Sequence, residues 1–180
     1  EDWSDWIDLL LAEGLLAPGA RTVAYSYIGP ELTAVIYRDG TIGHAKEHLE
    51  ATGHALHARL ESAVGGDAWV SVNKAVVTQA SAAIPAVPLY LSVLMKLMKE
   101  RGTHEGPIEQ IVRMFRDHTG PGATPTLDDR GRIRLDDLEM QPDLQAQIAG
   151  IWQHLSTENF RAQSDYDGYQ SDFHRLFGFD

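Results

Sequence analysis

Apolar residues recur at helical spacing, or as short runs, through the first hundred positions of the chain. The helical spacing predicts helices at residues 2–16, 41–61 and 88–101. A short run with valine and tyrosine at residues 21–28 and an apolar, β-branched run at residues 67–77 predict strands. Helices that alternate with strands are typical of an α/β fold with a parallel sheet. Because both strands are predicted to be buried on two faces, we expect further sequence or another chain to complete the sheet.

The pattern changes after residue 103, where helices predominate. Amphipathic spacing predicts helices at residues 107–118, 143–155 and 166–177. We therefore expect a mostly helical C-terminal region at residues 104–180. We interpret its acidic pairs as solvated turns and helix starts, at Asp128–Asp129 and Asp136–Asp137.

Composition narrows the class of protein. A chain of 180 residues, 43% of them apolar, can bury one core, so we expect one domain, or one with an appendage. The formal charge of −11 argues against a nucleic-acid or anionic-membrane surface. The absence of cysteine excludes disulfides and cysteine nucleophiles, and it fits a cytoplasmic protein. The longest apolar run, residues 84–95, is too short to span a membrane and contains Pro85 and Pro88, so no membrane insertion is expected.

Tyr37 and Lys46 are the first candidates for chemistry. On one continuous helix their nine-residue separation would place them on opposite faces, but Asp39 and Gly40 interrupt the helix and allow the side chains to converge. A lysine ammonium and a helix N-terminus both favour the ionised form of a nearby phenol, so such a tyrosine can donate a proton at neutral pH. The alternative is a buried ring and a surface amine.

A second candidate is a metal site, because His44, Glu47 and His48 match the H-x-x-E-H pattern of inverted zinc peptidases. Two histidines four positions apart share a helix face, and Glu47 could serve as a base. The pattern recurs easily by chance in a chain with eight histidines, and Lys46 would repel a cation. Zinc-peptidase activity is therefore a remote alternative, and no metal is expected.

Residues 75–85 follow the second predicted strand and carry small or hydroxyl-bearing side chains. In open α/β sheets ligands bind at the carboxyl ends of strands, where small residues let backbone N–H groups approach a phosphate or an amide. A tight loop capped by serine or threonine is the alternative. The chain contains no G-x-G-x-x-G, Walker or G-x-S-x-G motif, and so no recognisable pyrophosphate-binding turn.

Several motifs together carry a family resemblance. They are the Y-x8-K spacing of Tyr37 and Lys46 and the segments YSYIGPE at 25–31, VTQASAAIP at 77–85, MKERGTHEG at 98–106 and LFGF at 176–179. The chain thereby resembles the trans-2-enoyl-CoA reductase family, which includes the FabV-type enoyl-acyl-carrier-protein reductases of fatty-acid synthesis. The resemblance extends over the whole chain and implies NADH-dependent reduction of the C2–C3 double bond of enoyl thioesters.

The resemblance also implies that the chain is the C-terminal half of such an enzyme. Residues 1–103 would then be the C-terminal part of a Rossmann-like, short-chain-dehydrogenase-like domain. The missing N-terminal half, with the glycine-rich NADH turn, becomes an expected partner, as does the enoyl-CoA or enoyl-acyl-carrier-protein substrate. The chain begins with Glu1 rather than methionine, which fits a fragment.

The family's functional residues carry over to matching positions. Tyr37 matches the tyrosine that stabilises the enolate and supplies the proton, and Lys46 matches the lysine that holds the cofactor ribose and biases the phenol. Tyr27 matches the residue that contacts the substrate thioester. The resemblance places the contacts near the nicotinamide end of the cofactor at Val76, Val77 and Thr78.

Departures from the family pattern flank the tyrosine. Many members have Trp-Pro where this chain has Ala34 and Val35, a bulky aromatic residue in place of Arg38, and lysine in place of His44. These differences bear on chain-length preference and turnover more than on reaction type. The alternative function is a non-catalytic acyl-binding or assembly module that pairs with another chain.

Overall fold

The computed structural model describes residues 2–84 and 86–179. Pro85, the last residue of the motif at 77–85, therefore lies outside the described residues. The described α-helices are α1 Asp2–Ala12, α2 Ala34–Tyr37, α3 Thr41–Val64, α4 Gln79–Ala82, α5 Val87–Glu100, α6 Pro107–Met114, α7 Pro142–Gln153, α8 Phe160–Gln163 and α9 Tyr166–Arg175. The described strands are β1 Arg21–Ser26, β2 Asp67–Val72 and β3 Ile133–Arg134, with a 3-10 turn at Glu31–Thr33 and a π-helical turn at Phe115–Thr119.

The chain divides into two compact units whose segments are interleaved in sequence. The sheet unit comprises the residues up to Ile28, Val35–Asn73 and Met114–Leu135. The helical unit comprises Gly29–Ala34, Lys74–Arg113 and the residues from Asp136 onward. The predicted domain boundary at residue 103 stays a prediction.

The sheet unit contains a parallel sheet in the order β1–β2–β3. The register runs from Arg21 opposite Asp67 to Ser26 opposite Val72. Strand β3 is one of the short extended pieces expected beside the turn at 128–131, but no sequence pattern placed it in the sheet, where Ile133 pairs with Ser71 of β2. The α/β class with a parallel sheet and a mostly helical C-terminal extension is confirmed.

Burial in the sheet follows strand position. Five of the six residues of β2 are buried, as expected of a central strand, whereas in β1 only Ser26 is buried. The prediction that both strands are buried on two faces was therefore wrong for β1. Helices α1 and α3 cover the sheet through the buried cluster Ile7, Leu56, Leu60 and Ala68.

The helical unit is built around α5, which packs against α4, α7 and α9. Nine of its 14 residues are buried, more than a single apolar stripe would supply, and Leu94 and Met98 are 0% exposed. Burying side chains of this size contributes about 1.5–3 kcal/mol each. The methionines of α5 therefore belong to the core.

Several local predictions were wrong at helix ends. Helix α1 ends at Ala12 rather than at residue 16, and Gly14 beyond it has a left-handed φ of 64°. Helix α3 begins as predicted but extends to Val64 rather than residue 61, and its N-cap, Gly40, has no side-chain cap. The helix predicted at 107–118 changes to π-helical turns after Met114.

Two other interpretations also fail. Strand β2 ends at Val72 instead of residue 77, so the segment after it is irregular. Asp136, interpreted as part of a solvated pair, is 2% exposed.

No helix in the described ranges is long and apolar enough to cross a membrane.

Candidate active site

The break between α2 and α3 places Tyr37 and Lys46 on one cavity of the sheet unit. Tyr37 ends α2, residues 38–40 turn the chain, and Lys46 lies in the second turn of α3. Both side chains line a cavity of about 90 Å³. The remaining lining residues are Ile28, Arg38, Gly43, Glu47, Glu50, Arg130 and Arg132.

Gly43 permits the close approach of α3 to the turn that precedes it. A Cβ atom at this position would lie 2.1 Å from the Arg38 carbonyl oxygen and 3.3 Å from that of Tyr37. Both are backbone atoms, so the turn cannot yield by moving a side chain. A side chain at residue 43 is therefore incompatible with this position of Tyr37, which explains a glycine inside the first turn of a helix.

Tyr37 is buried and packs against a second tyrosine. The rings of Tyr27 and Tyr37 meet edge to face, with centroids 4.8 Å apart. Tyr37 is 7% exposed, whereas Tyr25 in the same segment is 52% exposed. Tyr25 is therefore exposed to solvent, whereas Tyr27 and Tyr37 contact each other.

Lys46 lines the same cavity as Tyr37, and its ammonium group has a hydrogen-bond partner there. Its Nζ donates a hydrogen bond to Ser26 Oγ at 3.3 Å. Burial lowers the pKa of Lys46 from its ordinary value, and the charge of Glu50 opposes that shift. An ammonium group has three N–H donors, so Lys46 can also donate to the hydroxyls of a ribose. The donor chemistry therefore fits the ribose end of a nicotinamide cofactor.

Glu50 is a site residue that the sequence reasoning missed. It follows Lys46 by one helical turn and is 8% exposed. Its carboxylate accepts a hydrogen bond from Arg132 Nη1 at 2.9 Å and pairs with Arg130 Nη2 at 2.7 Å. Periodicity gave no signal for it, because at 3.6 residues per turn Glu50 lies about 120° around α3 from Leu56 and about 80° from Leu60, off the apolar stripe.

Asp128 completes this group of charges, although its acidic pair was interpreted as a solvated turn. Its carboxylate accepts hydrogen bonds from the Arg132 Nε and from the backbone N–H groups of Arg130 and Arg132. Burial tends to raise the pKa of Asp128, but these hydrogen bonds lower it below its ordinary value. The interpretation as a simple solvated turn was wrong for Asp128.

Val76, Val77 and Thr78 lie in the helical unit, in the irregular segment that follows β2. Thr78 caps α4: its hydroxyl accepts from the Ser81 N–H at 3.0 Å, and Ser81 Oγ accepts from the Thr78 N–H at 2.9 Å. The alternative of a loop capped by serine or threonine therefore describes this turn.

A buried carboxylate fixes the start of the same loop. Glu139 Oε2 accepts from the Ala75 N–H at 2.6 Å, and Glu139 Oε1 accepts from the Tyr90 hydroxyl at 2.7 Å. Gln145 donates to the Tyr90 oxygen and to the Glu139 carbonyl. Burial, together with the charge of Glu139, raises the pKa of Tyr90 well above its ordinary value. Tyr90 is therefore a neutral donor to a charged acceptor.

The loop also lines a cavity of about 620 Å³ within the helical unit, together with Leu91, Met95 and His104. Burial, then the charges of Lys74 and Lys99, lower the pKa of His104. Val76 and Val77 contribute apolar surface to this cavity. Its size is that of a small-molecule pocket.

The H-x-x-E-H pattern forms no metal centre in the described residues. His44 and Glu47 are exposed and lie 3.4 Å apart, and His48 is also exposed. Across residues 2–84 and 86–179 there is no group of three or more His, Cys, Asp or Glu side chains that could hold a metal ion. The zinc-peptidase hypothesis gains no support from the geometry.

Comparison with protein families gives two matches. Residues 1–119 match the family model described as the trans-2-enoyl-CoA reductase catalytic region. Residues 127–180 match one described as the enoyl reductase FAD binding domain.

The segment 127–180 contains no glycine-rich strand-to-helix turn for a pyrophosphate, and Arg130 and Arg132 are paired with carboxylates. These residues do not fit FAD.

Comparison with individual proteins gives relatives about twice as long. The chain is 57% identical over its full length to an enoyl-[acyl-carrier-protein] reductase [NADH] of Flavobacterium johnsoniae, and covers 45% of that protein. A similar protein of Cytophaga hutchinsonii is 55% identical, with 45% covered. A crystal structure of Treponema denticola trans-2-enoyl-CoA reductase in complex with NAD aligns with a TM-score of 0.91 and 49% identity, over 99% of this chain and 44% of that one.

Proposed function

Since the chain belongs to the trans-2-enoyl-CoA reductase family, we propose that it is the C-terminal half of an NADH-dependent enoyl thioester reductase. The reaction is reduction of the C2–C3 double bond of an enoyl-CoA or enoyl-acyl-carrier-protein substrate. Residues 1–103 belong to the dinucleotide-binding domain in this proposal, and residues 104–180 form its helical C-terminal region. The cytoplasmic location expected from the absence of cysteine stays a prediction.

The single observation that supports this proposal is the cavity shared by Tyr37 and Lys46. When bound, NADH supplies the hydride that the substrate β-carbon receives. Negative charge then develops on the thioester oxygen, where Tyr37 donates a hydrogen bond and then the proton. Tyr27, in edge contact with Tyr37, contacts the thioester beside the phenol.

Lys46 has two roles in this proposal. Its ammonium holds the ribose of the cofactor through the N–H donors not used by Ser26. Its positive charge also favours the loss of a proton from Tyr37 to the substrate. Val76, Val77 and Thr78 contact the cofactor near its nicotinamide end, on a loop whose shape Glu139 and the Thr78 cap maintain. The glycine-rich phosphate turn must come from sequence outside this chain.

Replacing Tyr37 with phenylalanine tests the proposal in full-length protein that contains these residues. Tyr37→Phe removes the proton donor and keeps the ring contact with Tyr27, so turnover should fall about 10²- to 10⁴-fold while NADH affinity changes little. The rate of NADH oxidation with crotonyl-CoA and a titration of NADH binding measure the two effects. Tyr25→Phe, at an exposed ring in the same segment, is the matched control.

Unchanged turnover in Tyr37→Phe would remove this residue from the mechanism. A non-catalytic acyl-binding module is the second candidate, because the residues of this chain include no glycine-rich phosphate-binding turn. Full-length wild-type protein that binds acyl thioesters and oxidises no NADH would support the module instead.

A further inference from the structure

We propose that Glu50 and the turn at residues 128–132 are positioning elements for Lys46, an inference that rests on the proposed function. The turn lies about ninety positions from the tyrosine–lysine segment in the sequence, yet it contacts the helix that carries Lys46. Arg132 and Arg130 hold the Glu50 carboxylate, and Glu50 in turn balances the half-buried ammonium of Lys46. No substrate contact by these residues is required.

The geometry places Glu50 where it can act on Lys46. The two residues are four positions apart on α3 and line the same cavity. Side chains four apart on a helix are neighbours on its surface. The Glu50 carboxylate also interacts with two arginines: Arg132 Nη1 lies 2.9 Å from one of its oxygens and Arg130 Nη2 lies 2.7 Å from the other.

The turn is built to hold the arginines in place. Asp128 accepts from two backbone N–H groups of the turn and from the Arg132 side chain, while Gly131 adopts a left-handed φ of 74°. One helical turn beyond Glu50, a ring nitrogen of His54 hydrogen-bonds the Arg130 carbonyl at 2.9 Å. Strand β3 follows immediately and fixes the turn to the sheet through β2. Two successive turns of α3 are therefore attached to this segment.

The electrostatic balance at Lys46 depends on both partners. The charged and titratable groups that share its cavity are Tyr37 and Arg38 before the helix, Glu47 and Glu50 on it, and Arg130 and Arg132 from the turn. Burial lowers the pKa of Lys46, and Glu50 is the group that raises it. Replacing Glu50 with a neutral side chain would leave Lys46, Arg130 and Arg132 at the same cavity without this carboxylate. Replacing Arg132 with a neutral side chain would remove one cation from Glu50, whose carboxylate would then interact more strongly with Lys46.

The substitutions Glu50→Gln and Arg132→Gln should shift the pKa of Lys46 in opposite directions. Glu50→Gln removes the group that raises its pKa, so the amine should deprotonate at lower pH than in the wild type. Arg132→Gln leaves Glu50 charged with one partner fewer, so the amine should deprotonate at higher pH. A residue that only maintained the fold would not shift the titration in a direction set by its own charge.

The experiment measures the titration of Lys46 directly in full-length protein. Competitive acetylation across a pH series, followed by mass spectrometry of the Lys46 peptide, gives the midpoint because only the neutral amine reacts. The expected result is a lower midpoint for Glu50→Gln and a higher one for Arg132→Gln. Arg59 lies on the same helix as Lys46 but pairs with Asp8 of α1 at the surface, so Arg59→Gln should leave the midpoint unchanged.

Turnover gives the second measurement. The limb of the pH–rate profile on which Lys46 loses its proton should move with the acetylation midpoint in each variant. Displacement of the amine from the ribose should also lower kcat of Arg132→Gln by about 10- to 100-fold. Arg132→Lys restores the charge and should recover the midpoint more fully than the kcat, because lysine cannot span Asp128 and Glu50 as the guanidinium does.

Shifts in the same direction, or no shift in either folded variant, would overturn the inference. If Arg132→Gln does not fold, Arg130→Gln replaces it, since this half-exposed arginine contacts the same carboxylate and must give a smaller upward shift. Acetylation requires no activity. A wild-type protein without turnover would therefore refute the proposed function and still leave the charge relation between Glu50, Arg132 and Lys46 measurable.

Discussion

Replacing Gly43 with alanine tests whether the approach of α3 to the turn before it sets the position of Tyr37. The added Cβ would lie 2.1 Å from the Arg38 carbonyl oxygen, although carbon and carbonyl oxygen rarely approach within about 3.3 Å. The helix and the turn must therefore separate by about 1.2 Å, a distance taken up by backbone. Tyr37 is adjacent to Arg38, so the phenol must shift relative to Lys46.

The size of the effect follows from the displacement. A misplacement of about 1 Å can cost about 100-fold in rate, so turnover of Gly43→Ala should fall by about that factor. Stability should change less, because alanine is favoured over glycine in a helix by about 1 kcal/mol and offsets part of the strain. The substitution should thus affect activity out of proportion to folding.

The assay compares NADH oxidation and thermal unfolding in full-length protein. Gly150→Ala is the matched control, since Gly150 lies in helix α7 and a Cβ there would meet nothing within 4 Å. This control should gain about 0.5–1 kcal/mol of stability and retain turnover. Wild-type turnover in Gly43→Ala would refute the argument that the close approach positions Tyr37.

Two further substitutions test the buried polar groups. Tyr90→Phe removes the donor to the buried Glu139 carboxylate, and urea unfolding should show a loss of about 1–3 kcal/mol; a loss no larger than that of the exposed Tyr25→Phe would contradict this role. Asp128 has a folded-state pKa below its unfolded value, so its contribution to stability is present above the unfolded pKa and is lost as pH falls through the folded one. The melting temperature of the wild type should therefore approach that of Asp128→Asn as the pH falls into the acid range. A constant difference between the two melting temperatures at every pH would show that ionisation of Asp128 does not stabilise the fold.

The sequence was sufficient where periodicity and local chain breaks decide the structure. Helix α5 and most of α3 follow their apolar spacing, and the break at Asp39 and Gly40 was predicted from those two residues. Strand β3 has only two residues, which is too short to carry a period, and its pairing with β2 depends on a contact about sixty positions away. No local pattern could assign it to the sheet.

The same limit applies within the site. Tyr37 and Lys46 were predicted to converge because the helix break lies between them in the sequence. The ion pair of Glu50 with Arg132 joins residues 82 positions apart, so its existence depends on the fold and not on any motif. The requirement for glycine at position 43 likewise depends on the path of the backbone near Arg38, which the residue types do not reveal.

The turn at residues 128–132 links the two family matches within one unit. It belongs to the match at 127–180, whereas Tyr37, Lys46 and Glu50 belong to the match at 1–119. A half-buried ammonium loses part of its hydration, for which nearby carboxylates compensate, and a buried carboxylate needs cations of its own. Lys46 obtains that balance from Glu50, and Glu50 obtains it from Arg130 and Arg132. The second segment therefore contributes to the charge environment of Lys46, and in the proposed reaction it supplies no group to the reacting atoms.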